Sequence, residues 1–480
     1  MTESSYPDYT WRKNGSLWQR DIDEAENFYT CLAEAWKGSG RMFFAITGFL
    51  TLSLEVPGSW PSVEIETKIE AALPQAWLKL RYDHPTIASR VEYDHERRRY
   101  IKSYRPLDDT SSVSEADAWL QRTFVPLELD VSGLEWCNAD PPAPAYPTLF
   151  VISSPKESDS DSVVRRDLVI RSPHDIMDGI GTLLLLNNLM AHAARFYDHP
   201  ESVHFPPAGD EARNLSPPLR VAASIPSTLP PNSQQRLQEV VTKNVTLRTE
   251  FDLLTVPFAQ ETLLPSKHQR TSIEISQAET QTILQGCKQL GATVTHAYHA
   301  AIALALRDTH APSSQTKTKR YISYILVNER PNCTGPYAAP KHPATVYHSV
   351  SGPSLAIDLQ TPSSPVDPAA QPRAEFLRVV DAVKEYYEAI RSSPSALELA
   401  PAFWALRTPA AAHAAGRAPD EVPVPPPNPA PSVSISSMGV VDRIVAPRHG
   451  AFSVRDPWVC GEELGTGLGV FLGTWEGGCV

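Results

Sequence analysis

From Val163 to Arg171 the chain is a run of β-branched, apolar and basic residues that stops short of Pro173, and from Thr182 to Tyr197 it is an unbroken series of helix formers. Proline cannot donate to a sheet ladder, so the strand is expected to end before Pro173. No proline follows until Pro200, which predicts a helix of about four turns. Between strand and helix lies His174-Asp-Ile-Met-Asp178-Gly179-Ile-Gly181, carrying one imidazole, two carboxylates and two glycines. Rigid elements on both sides hold such a turn still, which suits it to chemistry. A neutral imidazole at His174 can accept a proton from a hydroxyl or amine and hand it on. Asp178 would lie against that ring in a helical turn. Gly179 permits a tight backbone bend instead, so Asp178 is expected to point away and pair with a distant cation.

A chain of 480 residues exceeds one ordinary core, and two large lobes are expected. With 42% hydrophobic and 20% charged residues it has the composition of a globular protein, and its net charge of −12 disfavours nucleic acid as a general partner. The N-terminus has no basic and apolar leader pattern, Met42 to Val56 is too short to span a bilayer, and the cytoplasm is the expected compartment. The cysteines at 31, 137, 287, 333, 460 and 479 form no Cys-x-x-Cys, so free thiols are expected.

Helical spacing marks Ser62 to Leu80, with Pro74 expected to kink or break it, and strands are expected at Met42 to Leu54, His268 to Ile275, Arg320 to Asn328 and Ala344 to Leu359. Asp21 to Trp36 is acidic and helix-prone, Ser276 to Leu290 opens on a capping box, and Thr293 to Leu306 is an alanine-rich helix. His84, His296 and His299 are read as packing residues. Ser158 to Ser162 reads as a solvated hairpin tip and Ala418 to Pro431 as an exposed loop. Eight prolines between His199 and Pro231 mark a crossover. The expected division is an N-terminal lobe over residues 1–198, a crossover over 199–232 and a C-terminal lobe over 233–480. Strands and helices mix in both, which implies α/β or α+β lobes.

His174-x-x-x-Asp178-Gly179 resembles the active-site pattern of the chloramphenicol-acetyltransferase-like superfamily. That group includes the BAHD acyltransferases, the condensation domains of peptide synthetases and the fungal trichothecene 15-O-acetyltransferases. Later features match in order: the helix after Leu290-Gly-Ala-Thr-Val-Thr295, the run Asn328-x-Arg330-Pro331, and Ser434-Ile-Ser-Ser-Met-Gly439. Two departures stand out. Pro173 replaces a second histidine, and the Asp-Phe-Gly-Trp-Gly motif is absent, Arg455 to Gly461 being its nearest relic. The glycine-rich close from Gly461 to Gly473 is more like the fungal group.

The resemblance implies a two-lobed fold with a mixed sheet in each lobe and the site in a tunnel between them. It implies acyl transfer from coenzyme A, acetyl or another short acyl group, to a hydroxyl of a secondary metabolite, by a monomer with no permanently bound cofactor or metal. His174 would be the general base and Asp178 a partner of Arg330, with Gly179 supporting the turn. Ser436 or Ser437 would donate to an oxyanion, and Lys317, Lys319, Arg320 and Lys341 would meet the phosphates of coenzyme A. Two alternatives remain open. One is a carrier-protein-dependent or condensation-type enzyme of the same fold. The other is a metal-dependent hydrolase using His174, Asp175 and Asp178, which needs further ligands.

Overall fold

A computed structural model describes residues 7–479 except 57–60, 109–113, 154–162, 258–266, 311–315, 338–341, 362–372 and 410–430. Ser158 to Ser162, Lys341 and nearly all of Ala418 to Pro431 therefore lie outside the described residues. The strands that position the site are β1 (Ile46–Glu55), β2 (Phe124–Glu128), β3 (Thr148–Ser153), β4 (Val163–Ser172), β5 (Thr318–Ser323), β6 (Leu326–Asn328), β7 (His348–Val350), β8 (Leu355–Gln360), β9 (Val433–Val440), β10 (Phe452–Gly461) and β11 (Leu468–Trp475). The helices are α1 (Glu24–Glu34), α2 (Ser62–Asp83), α3 (Gly179–Asp198), α4 (Val294–Asp308), α5 (Arg373–Arg391) and α6 (Ala396–Arg407).

β4 ends at Ser172, one residue before Pro173, and pairs antiparallel with β1 along its whole length, Ile46 opposite Ser172 and Glu55 opposite Val163. These two are the middle of a six-stranded sheet in the order Arg448–His449, β10, β1, β4, β3, β2. All neighbours are antiparallel except β2 and β3. Helices α2 and α3 pack on it. Leu183, Leu186, Leu189 and Met190 of α3 meet Ile65, Ile69, Trp77 and Leu80 of α2 in one fully buried core. Pro74 lies inside α2 without ending it. Burial of this helix's apolar face outweighs the lost i to i−4 bond. Gly48 of β1 lets α3 come close: a Cβ there would stand 2.3 Å from the Thr182 methyl.

The second half forms another core, where α4 and α5 pack on β5 and β8 and on Val433 and Ile435 of β9. β9 and β11 run parallel. The chain then returns to the first sheet through β10, so the segment after residue 232 contributes to both layers. His268 to Ile275 is not a strand; it makes one isolated bridge, Ile275 to Cys479. Ala344 to Leu359 divides into β7 and β8, because Gly352 and Pro353 interrupt the ladder. All six cysteines are free thiols. Among the described residues no helix is long and apolar enough to cross a membrane. The whole is a mixed α/β fold of two lobes.

Candidate active site

Asp178 is the N-cap of α3, and the helix starts at Gly179 rather than at Thr182. Its Oδ1 accepts the Gly181 N–H at 2.7 Å. Its Oδ2 accepts Arg330 Nη1 at 2.8 Å and the Tyr347 N–H at 2.8 Å. The Asp178 N–H in turn donates to the Thr345 carbonyl at 3.0 Å. Asp178 and Arg330 are both 3% exposed, so this ion pair is a buried seam between the first half of the chain and the second. Burial alone would raise the Asp178 pKa, but the Arg330 guanidinium, helped by His348, holds it well below the usual carboxylate range. The carboxylate therefore faces away from the imidazole and braces the turn.

Arg330 is placed by a hairpin. β6 pairs with β7, Asn328 opposite His348, and Arg330 follows two residues later with its N–H on Asn328 Oδ1. Its Nη2 points at the Pro343 carbonyl and the Thr345 hydroxyl.

Gly179 has no positive φ. It is a helical residue in the first turn of α3, and a Cβ on it would meet the flexible end of Met438 at 3.4 Å and a Val459 methyl at 3.6 Å, ordinary contacts both. The demanding glycine is Gly181. A Cβ there would lie 2.1 Å from the Pro343 carbonyl and 2.9 Å from Arg330 Nη2. Main chain cannot yield as a side chain does, so Gly181→Ala is expected to lower stability by about 1–3 kcal/mol or more. Gly179→Ala should stay near wild type. Urea midpoints of the two variants check this.

His174 leaves the end of β4 with its ring stacked face to face on Tyr29, centroids 3.7 Å apart and planes 10° from parallel. Its Nδ1 is buried and bonded to no other side chain, and main-chain groups of His174 and Met177 are the polar neighbours that favour a proton on the ring. Burial, and then the neighbouring His348, push the His174 pKa down to about 3, against the opposing pull of Asp178. The ring is therefore neutral at pH 7. His348 Nε2 lies 2.9 Å from the Tyr29 hydroxyl and its Nδ1 3.7 Å from Asp178 Oδ2. Trp404 of α6 packs against both Tyr29 and His348. Tyr29, His348 and Trp404 carry no local sequence pattern; three distant segments bring them to one ring.

The two serines of β9 part company. Val433 and Ile435 face the second core, and side chains alternate along a strand, so Ser437 shares their side. There its hydroxyl lies 3.0 Å from Thr295 Oγ1 at the start of α4. Ser436 takes the opposite face, two residues before Met438, which reaches Gly179. The basic residues also differ. Arg320 is committed to Glu250 and Asp358, each at 2.6 Å, and Lys319 Nζ lies 3.3 Å from His310 Nδ1. Lys317 is exposed. His84, His296 and His299 are buried, away from His174 in the packing of α2 and α4. Among the described residues no three His, Cys, Asp or Glu side chains converge as metal ligands would.

Two lobes joined at an imidazole that follows a central strand define the chloramphenicol-acetyltransferase-like fold. TRI3 trichothecene 15-O-acetyltransferase from Fusarium sporotrichioides superposes with a TM-score of 0.75 at 18% identity, covering 100% of this chain and 93% of that one. The first condensation domain of the CDA synthetase superposes with a TM-score of 0.55 at 15% identity, covering 96% and 89%. The family model described as 15-O-acetyltransferase Tri3 matches residues 59–332, which include His174, Asp178 and Arg330, and the chain belongs to that family. Two curated proteins of Monascus ruber are also similar. Acetyltransferase pigO is 26% identical over 277 residues, 57% of this chain and 54% of its own length. O-acetyltransferase pigM is 26% identical over 342 residues, 70% and 60%. The chain thus spans little more than half the length of these relatives.

Proposed function

We propose that the protein is an O-acyltransferase that moves an acetyl or other short acyl group from coenzyme A to a hydroxyl of a secondary metabolite. One observation carries the reading: His174 is a neutral imidazole at the end of a central strand, while the carboxylate four residues on is spent on Arg330. Membership of the acetyltransferase family and the likeness to pigO and pigM support it. In the reaction, His174 Nε2 takes the hydroxyl proton as the oxygen attacks the thioester carbonyl. The carbon–sulfur bond then breaks, and the thiolate takes the proton back from the imidazolium.

A pKa of about 3 makes the His174 imidazole a weak base on its own. The negative charge that develops on the tetrahedral oxygen beside it stabilises the imidazolium and strengthens the base when it is needed. Ser436, on the side of β9 away from the second core, is the donor we assign to that oxygen. Lys317 and Lys319 are the cations available for the phosphates of coenzyme A; Arg320 is already paired. No permanently bound cofactor is required by this chemistry.

Release of free thiol from acetyl-CoA in the presence of a panel of hydroxylated terpenoids and polyketides tests the reading. Acceptor-dependent release is the expected result. Release only from acyl groups tethered to a carrier protein would replace coenzyme A as the donor, and hydrolysis without acceptor would overturn acyl transfer.

A further inference from the structure

Helix α1 lies against the turn that carries His174, and three residues on one of its faces hold that turn. Glu26, Tyr29 and Thr30 stand at i, i+3 and i+4, the spacing that puts side chains on one side of a helix. Thr30 Oγ1 donates to Asp175 Oδ2 at 3.0 Å. Glu26 is paired in a bidentate way with Arg20 at 2.7 Å on both oxygens, and also with Lys102. Lys102 Nζ donates on to the Asp175 carbonyl at 2.6 Å. All of Arg20, Glu26, Lys102 and Asp175 are less than 9% exposed. Charges taken out of water in this way cost stability unless they are paired, and the pairing of Arg20, Glu26 and Lys102 carries Lys102 to the main chain of the residue next to His174. Between the two anchors, Tyr29 lays its ring on the imidazole, and its hydroxyl meets His348.

We propose that α1 is a clamp in which Tyr29, anchored through His348, is a positioning residue for His174, setting the plane of the ring and shielding one face from water. This rests on the proposed function only for the purpose of the shielding. The geometric basis is that no other side chain is bonded to His174 Nδ1, its polar neighbours being main-chain groups of His174 and Met177. The Tyr29 stack is therefore the side-chain contact that sets the plane of the ring. The groups facing the ring are Tyr29 from α1 and His348 from β7; Asp178, at the start of α3, is nearby with its carboxylate turned to Arg330. Tyr324 and Trp404 lie beyond Tyr29.

The test has two readouts on the full chain. NMR titration of His174 needs no activity and so stands apart from the proposed function. In Tyr29→Leu the shield is gone, and the His174 midpoint is expected to rise from about 3 toward its ordinary 6.5. In Tyr29→Phe the stack remains and the midpoint should stay near the wild-type value. Where acyl transfer is measured, Tyr29→Leu should lower kcat about tenfold or more with little change in the acceptor KM, and Tyr29→Phe and His348→Gln should lower it by less. If Tyr29→Leu does not fold, His348→Gln decides, because it loosens the phenol without emptying the space. A His174 midpoint and a kcat both unmoved in the folded variants would overturn the clamp.

Discussion

Replacing His174 by alanine is expected to lower kcat for acyl transfer about a hundred- to ten-thousandfold, the range of a lost general base. Binding should survive. His174 Nδ1 is bonded to no other side chain, and the ring's main packing partner is the face of Tyr29, so the side chain contributes little to the lobes' own cores. KM for both substrates is therefore expected to stay within a few-fold of wild type, since holding them in line depends on the cleft rather than on this ring. A residual rate above the uncatalysed one is also expected, from alignment and from the oxyanion donor. Steady-state thiol release from acetyl-CoA, with a thermal melt as the control for folding, checks the outcome. Undiminished release from a folded His174→Ala protein would remove the imidazole from the mechanism.

Much of this site was legible in the chain, for physical reasons that differ from residue to residue. The strand before Pro173 and the helix after it could be read locally, because proline forbids one and leucine-rich periodicity compels the other. That Asp178 would turn away from His174 was readable too, but for the wrong cause. Gly179 supplies no bend; Asp178 faces away because it caps α3 and receives Arg330. The glycine that matters, Gly181, is required by the approach of the Pro343 carbonyl, a contact across 162 residues of chain that no spacing encodes. Tyr29, His348 and Trp404 were invisible for the same reason, being placed by tertiary packing. The return of β10 to the first sheet was hidden because a strand's own residues do not name its partner.

Arg330→Met is expected to cost about 3–5 kcal/mol at pH 7, the usual penalty for stranding one member of a buried ion pair. Two N–H donors, from Gly181 and Tyr347, would still reach Asp178, but without the guanidinium its charge is no longer matched, and burial then raises its pKa. The sign of the pH dependence follows. In the wild type the folded pKa of Asp178 lies below its unfolded value of 3.8, so its contribution is complete above that value and lost only in strong acid. In Arg330→Met the folded pKa lies above 3.8, so the penalty is full at high pH and shrinks as pH falls through the raised value. Urea denaturation should therefore show the gap between variant and wild type narrowing from pH 7 to pH 5. Asp178→Asn in the same Arg330→Met background should recover part of the loss, and the double variant should be less destabilised than the sum of the singles. Additive effects with a gap independent of pH would mean that Arg330 supports the fold by packing against Tyr347, whose ring centroid is 5.7 Å away, and not by holding the carboxylate.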